Sequence, residues 1–200
     1  MDELVLRGMA KWPNVPAVFG WLSLSRRGDW LLKGEPVHNP GIREFFGRNY
    51  GCDDLGRWFV QNGPQRVYVL LDYTPWVVRS GGTAAAPFHT HTGQAIHTIR
   101  GAYLDEVGAL LLDTELGPGL VHDRDLDGLV HLLCDARGKP PSTAALNDAL
   151  EQLQAGKTAD LSLLTAQGLV EVAPLRSVEA PARFGYVRQP RQPAGEAECH

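Results

Sequence analysis

No apolar run in this sequence approaches the roughly 20 residues that a membrane-spanning helix needs. The longest runs, at 67–71 and 109–112, stop at the length of a strand. The acidic opening Met1-Asp2-Glu3 lacks the basic-then-apolar signature of a secretory signal, so a cytoplasmic location without a membrane partner is expected. Cysteine is scarce: Cys52, Cys134 and Cys199 are odd in number, widely spaced and free of any Cys-x-x-Cys. That excludes a disulfide framework and a thiolate zinc site and fits a reducing compartment. Positive charge is also short. A net charge of −4 and a pI near 6.0 give no general attraction to phosphate backbones, so nucleic acid is not expected as a partner. Gly-x-Ser-x-Gly, the phosphate-cradling Gly-x-x-x-x-Gly-Lys and His-Glu-x-x-His are missing, and Cys52 and Cys134 lack an adjacent His. No catalytic residue and no cofactor is expected, and the sequence leans away from an enzyme.

What is present is a foldable chain of 200 residues, 44% hydrophobic and 21% charged. Around Ser25-Arg26-Arg27-Gly28, residues 20–37 alternate apolar and polar, with Trp21, Leu22 and Leu24 before the turn and Trp30, Leu31 and Leu32 after it. That pattern predicts a hairpin. Asn39 caps a short helix predicted near 40–49, carrying Ile42, Phe45 and Phe46. A second hairpin opens at Arg57-Trp58-Phe59-Val60, turns through Gln61-Asn62-Gly63-Pro64 and returns along 65–71, with Asn-Gly supplying positive φ angles. Strand 76–79 follows the Asp72–Pro75 break. A small-residue stretch at 80–87 predicts the boundary between two halves. Beyond it come a hairpin over 96–112 and a helical segment after Asp123 carrying Leu129, Val130, Leu132 and Leu133.

The two halves repeat one another. Gly28 before Trp30-Leu31-Leu32 and Gly108 before Leu110-Leu111-Leu112 are offset by 80 residues, whereas Pro75 and Pro181 near the ends are offset by 106. About 26 residues are therefore inserted in the second half, placed at 138–163, where Leu146, Ala149, Leu150 and Leu153 share one helical face. The expected class is α+β, mostly antiparallel β, built of duplicated hairpin–helix–hairpin–strand units. The expected divisions are an arm over 1–18, repeats over 19–80 and 81–188 with an inserted helix about 140–156, and a disordered tail over 189–200.

The opening through Trp12-Pro13-Asn14-Val15-Pro16, the stretch from Gly56-Arg57-Trp58 to Val69 and the ending Pro181-Ala182-Arg183-Phe184-Gly185-Tyr186-Val187 resemble an uncharacterised proteobacterial family without an assigned activity. The order Gly28-Asp29-Trp30, Gly34-Glu35-Pro36-Val37, short helix, Asp54-Leu55-Gly56-Arg57 and Tyr73-Thr74-Pro75-Trp76 is similar to a second uncharacterised bacterial family. Its duplicated fold has a second half loosely like a pleckstrin-homology module, a suspected ligand cleft between halves and a suggested signalling role. That resemblance implies a nucleotide-like or other small ligand at the interface of the repeats.

The residue types best suited to such a ligand are Arg48, Asn49 and Tyr50 with Gln61, Asn62, Gln65, Arg66 and Tyr68, which combine amides, guanidinium groups and aromatic faces. The competing reading makes Asn62-Gly63 turn chemistry and puts Arg66 and Tyr68 on the solvent face of a strand. His91 joins the candidate set if its segment is ordered. His89, His91 and His97 share strand parity and raise a metal-dependent enzyme as an alternative, although no Asp, Glu or Cys lies among them and surface histidines are expected. Asp123, Asp125 and Asp127 fit a helix start, with Asp123 as cap. Trp21, Trp30, Trp58 and Trp76 are expected in the core, and Trp12 in a proline-flanked arm that, like a sheet edge, offers a protein-interaction alternative. The leading expectation is a non-enzymatic protein that binds a small ligand, nucleotide-like or other, or regulates, with its site between the two repeats.

Overall fold

The computed structural model describes residues 2, 3, 5–7, 15, 17–83 and 86–192. The chain falls into two compact units. The first comprises Met1–Pro75 with the returning segment Gly185–His200, and the second Trp76–Phe184. The expected boundary at 80/81 thus moves to the Pro75–Trp76 peptide. The small-residue stretch is no linker: β7 (Trp76–Thr83) and β8 (Ala86–Thr90) pair across it, Ser80 opposite Phe88.

The first unit is a six-stranded sheet in the order β3-β2-β1-β6-β5-β4. Its strands are β1 (Val18–Leu24), β2 (Trp30–Leu32), β3 (Glu35–Pro36), β4 (Tyr50–Cys52), β5 (Trp58–Asn62) and β6 (Gln65–Leu71), with helix α1 (Pro40–Arg48) between β3 and β4. Asn39 caps α1 as expected, its Oδ1 accepting from Ile42 N at 3.2 Å. Trp30, Tyr50 and Trp58 are buried in edge-on and tilted contact, and Phe46 of α1 meets Trp30 at 5.5 Å.

In the second unit, nine strands run β13-β14-β15-β10-β11-β12-β7-β8-β9. Beyond β7 and β8 these are β9 (Ala95–Ile96), β10 (Ile99–Asp105), β11 (Leu110–Thr114), β12 (Gly117–Val121), β13 (Leu133–Cys134), β14 (Ser162–Thr165) and β15 (Gly168–Leu175). Helix α2 (Leu126–Leu129), flanked by 3₁₀ turns, fills the place of α1, α3 (Thr143–Gln154) lies between β13 and β14, and α4 (Ala180–Phe184) follows β15. The expected cap is displaced by one residue: His122 Nδ1 accepts from Arg124 N at 3.1 Å, and Asp123 adds a second acceptor.

The duplication is explicit in the strand plan. β1 pairs antiparallel with β2 and parallel with β6, and β10 pairs antiparallel with β11 and parallel with β15. Leu24 lies opposite Leu71 and Leu104 opposite Pro174, so the 80-residue offset of the first strand has grown to 103 by the last. The matched ends read from Pro75 and Pro181 are not equivalent, because residues 76–79 are strand while 186–188 contribute only a bridge, Arg57 with Val187. The extra length is α3 and its connections, with Ala149 and Leu153 buried and the helix packed over β10 and β15. Ser142 caps it through Oγ to Ala145 N, 3.2 Å.

One local device recurs. At 25–29, 53–57, 90–94, 105–109 and 135–139, the first residue's carbonyl accepts from a glycine three positions on, and its side-chain oxygen accepts from the fifth residue's amide. All five glycines have positive φ, from 75° to 86°, the left-handed conformation that costs a residue with a Cβ. The Asn62–Gln65 hairpin differs from expectation by one residue: its loop is Gly63-Pro64, and the φ locked by proline leaves positive φ to Gly63 alone. Residues 189–192, expected in the tail, are described, and Pro190 is buried; Trp12, Cys199 and the remainder of that tail lie outside the described residues. Among the described residues no helix is long and apolar enough to cross a membrane.

Candidate functional site

The polar residues singled out in the sequence are mostly spent on the first unit's own structure. Arg48 Nε reaches the Asp2 carboxylate at 3.1 Å. The Asn49 side chain exchanges bonds with Asp2, receiving from its backbone N at 2.8 Å and donating Nδ2 to Oδ2 at 3.1 Å. Tyr50 is buried among Trp30 and Trp58 and donates to the Pro75 carbonyl at 3.0 Å, with burial pushing its phenol well above the usual range. Gln61 is buried in β5 and donates Nε2 to the Gly63 carbonyl at 2.9 Å, while its Oε1 meets no donor among the described residues. Asn62 and Gln65 flank the hairpin loop, and Arg66 lies exposed over the Phe59 ring at 4.6 Å.

Tyr68 does not face solvent. It is 4% exposed, stacked on Phe19 at 4.6 Å and covered by the Arg57 guanidinium, because this face of the sheet is also roofed. Its hydroxyl donates to Asp53 Oδ2 at 3.0 Å, and Asp53 also accepts from Arg57 Nε at 2.8 Å. Burial works to raise the Asp53 pKa, but the bonds from Arg57, Tyr68 and Leu55 outweigh it and hold the carboxyl below its ordinary value.

His91 belongs to the second unit and is packed inward, not displayed at the surface. Its ring lies 5.7 Å from that of Trp76, Nδ1 accepts from Val77 N at 3.3 Å, and burial lowers its pKa to about 3, so the imidazole stays neutral. Thr92-Gly93 beside it belongs to the Thr90–Gln94 turn. His89 sits in β8 opposite Arg79, and His97 is exposed on the link to β10. Among the described residues no three His, Cys, Asp or Glu side chains are grouped to hold a metal ion. Asp125 is engaged by Arg79 at 2.8 Å and by Ser80 N at 2.9 Å.

The second unit does contain a cavity, of about 550 Å³, and none of the residues above except His97 and Ser80 lines it. Its apolar lining is Phe88, Ile96, Ile99 and Leu129, each at most 7% exposed, with Leu132 and Leu164 beside them. Its polar groups are Ser80, His97, His131, Thr165 and Gln167, and no Asp, Glu, Lys or Arg occurs among the described lining residues. The β14–β15 turn is tied to the β9–β10 link, where Gln167 Nε2 donates to the His97 carbonyl at 2.6 Å. Glu115 holds that link from the other side, accepting from His97 N at 2.6 Å and Thr98 N at 3.0 Å. Volume and composition match the concave, mainly apolar sites that hold small molecules, commonly about 300–1,000 Å³. Sequence reasoning missed these residues because five separated segments supply the walls. A usable signal lay in Phe88, a large apolar residue directly after the small-residue stretch, which is buried in β8.

Comparison with known proteins agrees with the two resemblances carried by the sequence. The family model DUF2944, described as "Protein of unknown function (DUF2946)", matches residues 1–191. No curated protein matches the chain. The crystal structure of a DUF1285 family protein from Silicibacter pomeroyi DSS-3 aligns with a TM-score of 0.52 at 16% identity, over 88% of this chain and 97% of that one. A DUF1285 family protein from Shewanella baltica OS155 aligns with a TM-score of 0.43 at 19% identity, over 55% and 90%. The fold likeness rests on the first of these.

Proposed function

We propose that the chain, which belongs to the DUF2944 family, works as a non-enzymatic binding protein for a small ligand held in the cavity of its second unit. The observation that carries this reading is the cavity itself: about 550 Å³ above a buried floor of Phe88, Ile96, Ile99 and Leu129, with hydrogen-bonding groups beside it. Burying a ligand's apolar surface there contributes about 25 cal/mol per Å² removed from water, and the polar groups orient it. The first-unit cluster from Arg48 to Tyr68 supports a structural role better, since Asp2, Pro75, Asp53 and Phe59 already engage its members. Binding alone suits a regulatory role, in which occupancy is the output.

Thermal-shift screening of small molecules tests the reading, because a ligand that binds the folded state raises its stability, by about 2.7 kcal/mol at one hundred times Kd. At least one largely apolar compound should raise the melting temperature of the wild type, and Ile99→Trp or Leu129→Phe, which fill the floor, should abolish that response. No response from any compound, or an equal response in the filled variants, would contradict it.

A further inference from the structure

Resting on that cavity reading, we infer that the ligand is an uncharged amphiphile: an apolar body with a neutral hydrogen-bonding group, not a phosphate, carboxylate or amine. The lining side chains that can bond to it are hydroxyls, imidazoles and a carboxamide, all of which can both donate and accept. An ionised group moved from water into such a site needs a counter-charge to offset its desolvation, and no Asp, Glu, Lys or Arg is among the described lining residues.

The surroundings reinforce the selection. Behind His97 stands the Glu115 carboxylate, which accepts from two backbone amides. Burial acts to raise its pKa, but those amide bonds prevail and keep it lowered, so the group stays ionised at neutral pH. An anionic head near His97 therefore meets a like charge. The same charge attracts a cationic head, but Glu115 lies outside the lining and its two backbone bonds spread its charge, so the attraction does not offset the head's desolvation. The second nearby carboxylate, Asp125, is committed to Arg79 and to the amide of Ser80. A neutral alcohol or amide carries no such penalty, and it can pair with the imidazole, hydroxyl or carboxamide groups while its apolar body covers Ile99 and Leu129.

The test uses three probes on one skeleton: 2-naphthalenemethanol, 2-naphthoate and 2-naphthylmethylamine, titrated calorimetrically into the full chain at pH 7.5. The alcohol should bind at least tenfold more tightly than either ion, and Glu115→Gln, checked for folding by circular dichroism, should narrow the gap to the carboxylate several-fold. Equal or tighter binding of an ion, blocked by Ile99→Trp, would overturn the neutral-ligand class and leave the cavity reading standing. No binding of any probe, or binding that Ile99→Trp leaves intact, would overturn both. An unchanged gap in Glu115→Gln would overturn the role given to that carboxylate.

Discussion

Asp53 is the most heavily used carboxylate of the first unit. It closes the 53–57 turn through Leu55 N and Arg57 N, pairs with the Arg57 guanidinium and receives the Tyr68 hydroxyl. Asp53→Ala removes all four bonds and leaves a partly buried guanidinium without its counter-charge, so a loss of about 2–3 kcal/mol is expected in urea denaturation. Asp53→Asn keeps one acceptor oxygen and should lose less. The folded pKa of Asp53 lies below its ordinary value. Its contribution is therefore fully present above the unfolded value near pH 4, and is lost as the pH falls through the folded value. The acid limb of a stability–pH curve should flatten in Asp53→Asn; parallel limbs would contradict the assignment. Cys52 gives a second test at this scale. Although exposed, its thiol is pushed up to about 11 by desolvation and then by the charges of Asp53 and Asp54. Since the thiolate is the nucleophile, Cys52 should react with iodoacetamide far more slowly at pH 8 than a free cysteine, and a rate equal to the free amino acid would refute this.

Among the elements, the recurrent turn and the inserted helix carry the clearest consequences. Gly56 sits at φ +75°, and a Cβ there would run into the Gly185 carbonyl, whereas Gly34 at φ +87° has open space. Gly34→Ala should cost about 1 kcal/mol from backbone conformation alone, and Gly56→Ala about 2–4 kcal/mol because the chain end must also move. Equal costs in chemical denaturation would sink the clash argument. In α3, Leu153 is 1% exposed and joins the second unit's core, so Leu153→Ala should cost about 3 kcal/mol, well above the effect at half-buried Leu146. This helix was legible because its apolar spacing is local, as were the first hairpin, its glycine turn and α1. The parallel pairing of β1 with β6 was not, because the register of strands more than 40 residues apart is settled by tertiary packing. Tyr68 was misplaced for a related reason: alternation predicts one solvent face, but Phe19 and Arg57 cover it.

In the whole molecule, two units share one strand plan and differ in what is added to it. The first receives the chain's end: Val187 N donates to the Gly56 carbonyl and Leu71 N to the Arg188 carbonyl, both at 2.8 Å, and Arg188 also reaches the Asp72 carbonyl. Removing residues 185–200 should therefore strip hydrogen-exchange protection from the Leu71 amide. Full retention would show that the returning segment does not hold β6. The second unit adds β7, β8 and β9 to the shared plan, and residues of this extension make one wall of the cavity. That addition is why the candidate site could not be found from the repeat: Ser80, Phe88 and Ile96 of the added strands close the cavity against Ile99, Leu129 and Thr165 of the shared plan, and the first unit lacks those strands. Methyl NMR of protein labelled at Ile, Leu and Val, titrated with 2-naphthalenemethanol, tests this most directly. Saturable shifts are expected at Ile96, Ile99 and Leu129, with none at Ile42 and Leu31 of the first unit. Shifts that do not saturate, or that fall on the first unit and spare the cavity floor, would contradict it.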